Sequence, residues 1–191
     1  MSNSPDDDRD RPLISARSPS YERARHERES PSASPDPMLV ATLGRLCEAE
    51  YDAAHLCDVA AELLAPDGGA GADERPEAPH NLVRGLVAIH EHHRDALAAT
   101  LVELGAAAPR LGDHARVLSC DPSDLRYGRS APEIVAAVAA GEAELATYYQ
   151  KAQRAHPDCG QVEHQLSEQH TELNKNQSRL DSLSVDGGKR F

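Results

Sequence analysis

Four segments of this 191-residue chain carry apolar residues at intervals of three and four, the spacing that places side chains on one face of an α-helix. An ionisable residue interrupts each of these stripes near its middle. The stripes are Leu39, Leu43, Leu46, Glu50, Ala53, Cys57 and Leu64; Leu82, Leu86, His93, Leu97 and Leu104; Val138, Glu142, Leu145, Tyr149 and Ala152; and Val162, Leu166, His170, Leu173 and Leu180. The pattern predicts an all-α bundle of four helices with polar residues at its centre.

The composition agrees with a helical protein and excludes several kinds of partner. Ala and Leu supply most of the apolar content, and there is no Trp and one Phe, which favours helices over sheets. The net charge of −12 argues against a nucleic-acid-binding face. No apolar run approaches the roughly 20 residues of a membrane span, and residues 1–10 lack the apolar core of a signal peptide. We therefore expect a cytoplasmic protein with reduced cysteines that binds neither nucleic acid nor membranes.

Helix-start and helix-stop residues divide the chain into a tail, a bundle and a short end segment. Residues 1–36 are rich in Ser, Pro and charged residues and are predicted to be disordered, because they have almost nothing to bury. Asp36 and Pro37 are typical of a helix start, which predicts a first helix ending near Leu64. The other helices are predicted over about 80–104, 131–156 and 159–183, the last capped by Asp158. The bundle then occupies 37–184, and 185–191 form a flexible C-terminal tail.

The lengths of the connections predict the topology. The third and fourth helices are joined by a few residues around Pro157, so they are expected to be antiparallel neighbours. The first two helices can form a second hairpin. The connection from 106 to 129 is long enough to run the length of a helix of about 38 Å, which would make the second and third helices parallel. Two hairpins joined by one long crossover form the ferritin-like arrangement.

The polar residues in the stripes predict a metal site in the bundle centre. Buried carboxylates and imidazoles usually pair or bind metal, and these ligand types suit iron, manganese or zinc. Glu50, His93, Glu142 and His170 share a depth, and His90 forms a pair with His93 at ligand spacing. The expected site therefore holds one divalent transition metal, iron or another, through Glu50, His90, His93, Glu142 and His170.

A dinuclear carboxylate site would need more acidic residues than the stripes provide. Such sites use one Glu from each of two helices and a Glu-x-x-His pair from each of the other two. The chain has His90 and Ser167 where those pairs require Glu, and the nearest substitutes, which lie off phase, are Glu91, Glu163 and Glu168. Asp52 with His55, and His164 with Glu168, also have ligand spacing but lie off the stripes. A metal-free polar layer that fixes the helix register is an equally good interpretation.

Short motifs between Leu43 and Leu183 resemble a bacterial family of ferritin-like four-helix bundles of unknown function. They are Glu50-Tyr51-Asp52-Ala53-Ala54; the segment Glu91 to Arg94 followed by Leu101 to Gly105 and Pro109; and Gly141-Glu142 with Tyr148 and Ala152. The resemblance implies a ferritin-like bundle with metal binding and a role in stress physiology. It implies no established reaction.

Two functions from different classes follow from these patterns. The first is a ferritin-like metal-binding protein with a metal or redox role, such as oxidase or peroxide-handling activity. The alternative is a non-catalytic helical interaction or scaffold protein with a buried polar layer. In either case we expect a homo-oligomer, and the Gly- and Lys-containing end at 183–191 faintly resembles the tails that load cargo into encapsulin shells.

Overall fold

The computed structural model describes residues 36–65, 78–112 and 115–187, with side chains to 183. It contains four α-helices, α1 (Pro37–Leu64), α2 (Pro79–Glu103), α3 (Ala131–Ala155) and α4 (Gln161–Gly187), and one 3-10 helix, Pro122–Arg126. These ranges contain no strand, which confirms the all-α prediction. None of the helices in them is long and apolar enough to cross a membrane. The predicted disordered tail, apart from residue 36, and the C-terminal end at 188–191 lie outside the described residues.

Capping side chains mark the starts of α1 and α3, whereas α2 starts after Ala78, which makes no side-chain cap. The carboxylate of Asp36 accepts a hydrogen bond from the backbone N–H of Met38 at 2.9 Å, and Ser130 forms a capping box with Glu133 at the start of α3. The fourth helix does not start directly after Asp158. It begins at Gln161, because residues 157–158 form a turn and Gly160 takes a left-handed φ of 56°. It also continues to Gly187, beyond the predicted end near 183.

Two apolar clusters at opposite ends of the bundle define the helix directions. One contains Leu43 of α1, Leu97 of α2, Leu145 of α3 and Leu166 of α4. The other contains Leu56 of α1, Leu86 of α2, Val138 of α3 and Leu180 of α4. The N-terminal parts of α2 and α3 therefore share one end with the C-terminal parts of α1 and α4. This confirms the parallel arrangement of α2 and α3, and with it the two-hairpin topology.

The crossover between α2 and α3 runs along the bundle and is held by side chains of α1 and α3. The carboxylate of Asp52 accepts hydrogen bonds from the backbone N–H groups of Val117 and Leu118, at 2.5 and 3.1 Å. Tyr148 donates to the carbonyl of Val117 at 3.2 Å, and Arg126 in the 3-10 helix pairs with Glu62 near the end of α1. Asp52, which has ligand spacing with His55 in the sequence, thus has a structural role in the crossover.

A glycine sets the close approach of α1 and α3 beside the bundle centre. A Cβ on Gly141 would lie 2.6 Å from Cδ2 of Leu56, whose side chain is buried. We expect Gly141→Ala to lower the free energy of unfolding by about 1–3 kcal/mol through overpacking, offset in part by the better helix propensity of alanine. Gly44→Ala is the matched control in α1, since nothing lies within 4 Å of its added Cβ. Urea unfolding measures both variants, and equal stability would contradict the close approach.

Candidate metal centre

A layer of polar side chains lies in the core of the bundle. Glu50, His90, His93 and Glu142 are each at most 2 % exposed, and the side chains of Tyr149 and Gln169 join them. These six residues, which we call the polar layer, come from all four helices. Buried polar groups at this depth need partners, because an unpaired ionisable group in a protein interior is costly.

The imidazole of His90 is the centre of the polar layer. Its Nδ1 lies 2.7 Å from Oε2 of Glu50, and its Nε2 lies 2.6 Å from Oε1 of Glu142. One ring from α2 therefore links a carboxylate on α1 to a carboxylate on α3. Both contacts are at the short end for charge-assisted hydrogen bonds.

His93 connects the polar layer to a groove between α2 and α4. Its Nδ1 lies 3.3 Å from Oε1 of Glu50, and its Nε2 lies 3.0 Å from Oε2 of Glu172. The side chain of Glu172 is 47 % exposed and lines a groove of about 610 Å³, together with Ile89, Asn176 and others. The chain of contacts from Glu142 through His90, Glu50 and His93 thus reaches solvent at Glu172.

Tyr149 and Gln169 complete the hydrogen bonding around Glu50. The Tyr149 hydroxyl donates to Oε1 of Glu50 at 2.5 Å and lies 3.2 Å from Oε1 of Gln169. The side-chain amide of Gln169 donates to the backbone carbonyl of His93 at 3.3 Å. Both Glu50 oxygens therefore have partners, although the residue is fully buried.

The pKa shifts in the polar layer follow from burial and from the facing charges. Burial opposes the charged form of His90, but Glu142, Cys57 and Glu50 outweigh it and raise the His90 pKa well above its usual value. Burial would raise the pKa of Glu50, yet hydrogen bonds from His90 and His93 lower it. Burial and the Glu50 charge raise the pKa of Tyr149 well above its usual value, so its hydroxyl stays protonated and donates. In metal-free protein near neutral pH, an imidazolium at position 90 therefore lies between two glutamates.

Glu142 has one oxygen that this network does not use. Its Oε2 is buried and has no hydrogen-bond partner among the described residues. A buried acceptor left unsatisfied typically costs about 1–3 kcal/mol. The thiol of Cys57 lies close to this carboxylate and to the His90 ring. Cys57, His90 and Glu142 are all buried, and each offers one atom that could bind a metal ion; these three atoms lie within 4.8 Å of one another.

The structure brings together four of the five residues predicted to bind metal. Glu50, His90, His93 and Glu142 form one network, whereas His170 lies apart from it on α4, half-buried, with its Nδ1 3.0 Å from Oε1 of Gln153. The α4 side chains that reach the network are Gln169 and Glu172. The rest of the predicted stripe, Val162, Leu166, Leu173 and Leu180, is buried as expected, and Gln169 rather than His170 takes the inward position between Leu166 and Leu173.

Sequence reasoning also missed the chemistry of two other residues. Tyr149 and Cys57 had been placed on the apolar stripes, where each lies seven residues after a central glutamate and hence on the same helix face. That shared face was the sequence signal that could have joined them to the site. All four cysteines of the chain, of which Cys47 and Cys57 are buried, lie outside disulfides in the structure.

Comparison of the chain with solved structures identifies its fold. A conserved hypothetical protein from Mycobacterium tuberculosis superimposes with a TM-score of 0.59 at 19% sequence identity, covering 78% of this chain and 98% of that one. A ferritin-like, diiron-carboxylate protein from Bacillus anthracis superimposes with a TM-score of 0.58 at 15% identity, covering 77% and 95%. The chain has the ferritin-like fold. No protein-family model matches the sequence, and no curated protein matches it; the family-level resemblance stays a prediction.

The donor set of this ferritin-like bundle departs from that of a dinuclear carboxylate site. Where such sites take Glu-x-x-His from two helices, α2 provides His90 and His93, and α4 provides Gln169 and Glu172. The ring of His90 also fills the space between the Glu50 and Glu142 carboxylates. These residues do not fit a pair of carboxylate-bridged irons. A single ion fits better, because Glu142 Oε2 is an unsatisfied acceptor beside His90.

Proposed function

We propose that this ferritin-like protein binds one divalent transition metal ion in its buried centre, with His90 and Glu142 among the ligands. The observation that carries the proposal is the buried Oε2 of Glu142, which has no partner among the described residues. The carboxylate to which it belongs also offers one ligand atom to a group with Cys57 and His90, and these atoms lie within 4.8 Å of one another. A cation beside this oxygen would satisfy it and would take Nε2 of His90 as a second ligand in place of the proton on that nitrogen. A bound ion of this kind supplies a Lewis acid.

The remaining residues of the polar layer support such a site without binding the ion themselves. Oε2 of Glu50 lies 2.7 Å from Nδ1 of His90, and this contact fixes the ring so that its Nε2 points towards Glu142. Histidines that bind metal usually donate their other ring N–H to a carboxylate in this way. Tyr149 and His93 hold Glu50 in place through Oε1. The two proposed ligands, His90 and Glu142, and the residue that orients the imidazole, Glu50, are therefore already in place in the structure.

Metal addition to the metal-free chain tests the proposal. We expect zinc, iron(II) or manganese(II) at about 100 times the dissociation constant to raise the free energy of unfolding by about 2.7 kcal/mol, because the ion binds only the folded state. Glu142→Gln should abolish this stabilisation, whereas Glu168→Gln, an exposed acidic residue paired with His164, should keep it. Thermal unfolding with and without each ion measures the effect, together with the metal content of the purified protein. Equal responses in the two variants would contradict the proposal.

The alternative function is a metal-free helical scaffold, and one observation favours it. Both nitrogens of His90 already have carboxylate partners, so an imidazolium can neutralise the centre of the bundle without an ion. In that case the polar layer serves to fix the register of the helices. Absence of bound metal after purification, with no stabilisation by added ions, would favour the scaffold. The homo-oligomer and the encapsulin association stay predictions.

A further inference from the structure

We infer that Cys57 is the third ligand of this ion, and that Cys57, His90 and Glu142 form a mononuclear site of the zinc type in which Glu50 is a positioning residue. The inference rests on the proposed metal binding and names the chemical class of the metal. It places the ion between α1, α2 and α3, on the Glu142 side of the His90 ring.

The geometry of the three side chains carries the inference. Their donor atoms all lie within 4.8 Å of one another in a buried position. Zinc holds sulfur at about 2.3 Å and nitrogen or oxygen at about 2.0–2.2 Å, which places tetrahedral donor atoms about 3.3–3.8 Å apart. Small side-chain rotations therefore suffice to bring the donors to these spacings. The unpartnered Oε2 of Glu142 is a second, independent observation, because it is a buried acceptor that a cation would satisfy.

The charges of the three ligands suit a divalent ion. A thiolate, a carboxylate and a neutral imidazole sum to two negative charges, which a divalent cation balances in a buried site. Formation of the sulfur–metal bond releases the thiol proton of Cys57, and formation of the nitrogen–metal bond releases the proton on Nε2 of His90; both protons go to solvent. No oxidant or reductant is involved. Since metal binding displaces these protons, the affinity should rise with pH.

The thiolate determines which metal the site selects. Sulfur and imidazole ligands suit zinc and cobalt(II), whereas sites of carboxylate and water suit magnesium, calcium and manganese. Three protein ligands also leave a fourth position open in a tetrahedral ion, as in catalytic zinc sites. The donor set thus distinguishes this centre from a dinuclear carboxylate site, which contains no sulfur ligand.

Cobalt(II) titration of the full chain, freed of metal by a chelator under reducing conditions, tests the inference. We expect one equivalent of cobalt(II) to produce a sulfur-to-cobalt charge-transfer band in the near ultraviolet, together with the intense visible bands of tetrahedral cobalt. Added zinc should displace the cobalt and remove these bands. Cys57→Ser should remove the charge-transfer band. Cys47→Ser is the matched control, because Cys47 is also buried in α1 but its thiol lies 3.8 Å from the carbonyl of Arg94.

A second variant tests the role of Glu50 by affinity. Loss of an orienting partner typically weakens metal binding about 10–100-fold, and we expect this of Glu50→Gln, with the charge-transfer band retained. Cys57→Ser should weaken binding further than Glu50→Gln does. Far-ultraviolet circular dichroism confirms that each variant is folded.

The outcomes separate this inference from the proposed function. If the unchanged chain binds cobalt without a charge-transfer band, or if the band persists in Cys57→Ser, Cys57 is not a ligand. Either result leaves the proposed metal binding intact. Absence of cobalt and zinc binding overturns the inference, and absence of stabilisation by iron(II) and manganese(II) as well overturns the proposed function. Loss of the band in Cys57→Ser but not in Cys47→Ser supports the site as assigned.

Discussion

Replacement of His90 by leucine is expected to lower the free energy of unfolding of the metal-free protein by about 3–5 kcal/mol, the usual effect of removing one partner of a buried ion pair. The His90 ring lies 2.7 Å from Glu50 and 2.6 Å from Glu142, and all three side chains are buried. Without the ring, the two carboxylates face an apolar side chain and each other. Urea unfolding in the presence of a chelator measures the loss.

Two comparisons identify the cause of that loss. His92→Leu changes an exposed neighbour on the same helix and should alter stability by no more than about 0.5 kcal/mol. Adding Glu50→Gln and Glu142→Gln to His90→Leu should recover part of the stability, because the buried charges are then removed. If His90→Leu and His92→Leu are equally stable, the charge network does not stabilise the bundle.

The stability of the metal-free protein is expected to fall as the pH rises above about 6.5, the usual pKa of histidine. The folded pKa of His90 is raised, so its contribution is fully present below the unfolded pKa of 6.5 and is lost as the pH rises through the folded value. The folded pKa of Glu50 is lowered, so its contribution is present above 4.5 and is lost as the pH falls through the folded value. Together these groups stabilise the fold most between 4.5 and 6.5.

Chelator-treated protein, unfolded in urea over a range of pH, shows whether this dependence exists. The unfolding free energy should be lower at about pH 8.5 than at about pH 5.5, and His90→Gln should flatten the difference, because glutamine does not titrate. Stabilisation by a bound metal should follow the opposite trend and grow with pH, since protons compete for the ligands. A metal-free protein whose stability rises from pH 5.5 to pH 8.5 would contradict the charged state of His90.

Much of the fold follows from local sequence. Apolar spacing and capping residues predicted α1, α2 and α3 to within a residue or two, because caps and periodicity act within a single helix. The length of the 106–129 segment predicted the parallel arrangement of α2 and α3, since a chain of that length can cross the bundle. The inward positions of Glu50, His93 and Glu142 also followed, because each lies in phase with several leucines.

Only tertiary packing determined which α4 residues reach the centre and how the polar residues meet. A stripe spaced by three and four tolerates a shift of one residue, so it could not distinguish His170 from Gln169; contact with α2 and α3 brings Gln169 inward. Periodicity also placed Cys57 among apolar residues without indicating that it lies beside His90 and Glu142. That juxtaposition joins three helices and depends on the close approach of α1 and α3 at Gly141. Spacing along a chain determines the face of each helix, whereas the distances between faces depend on how the helices pack.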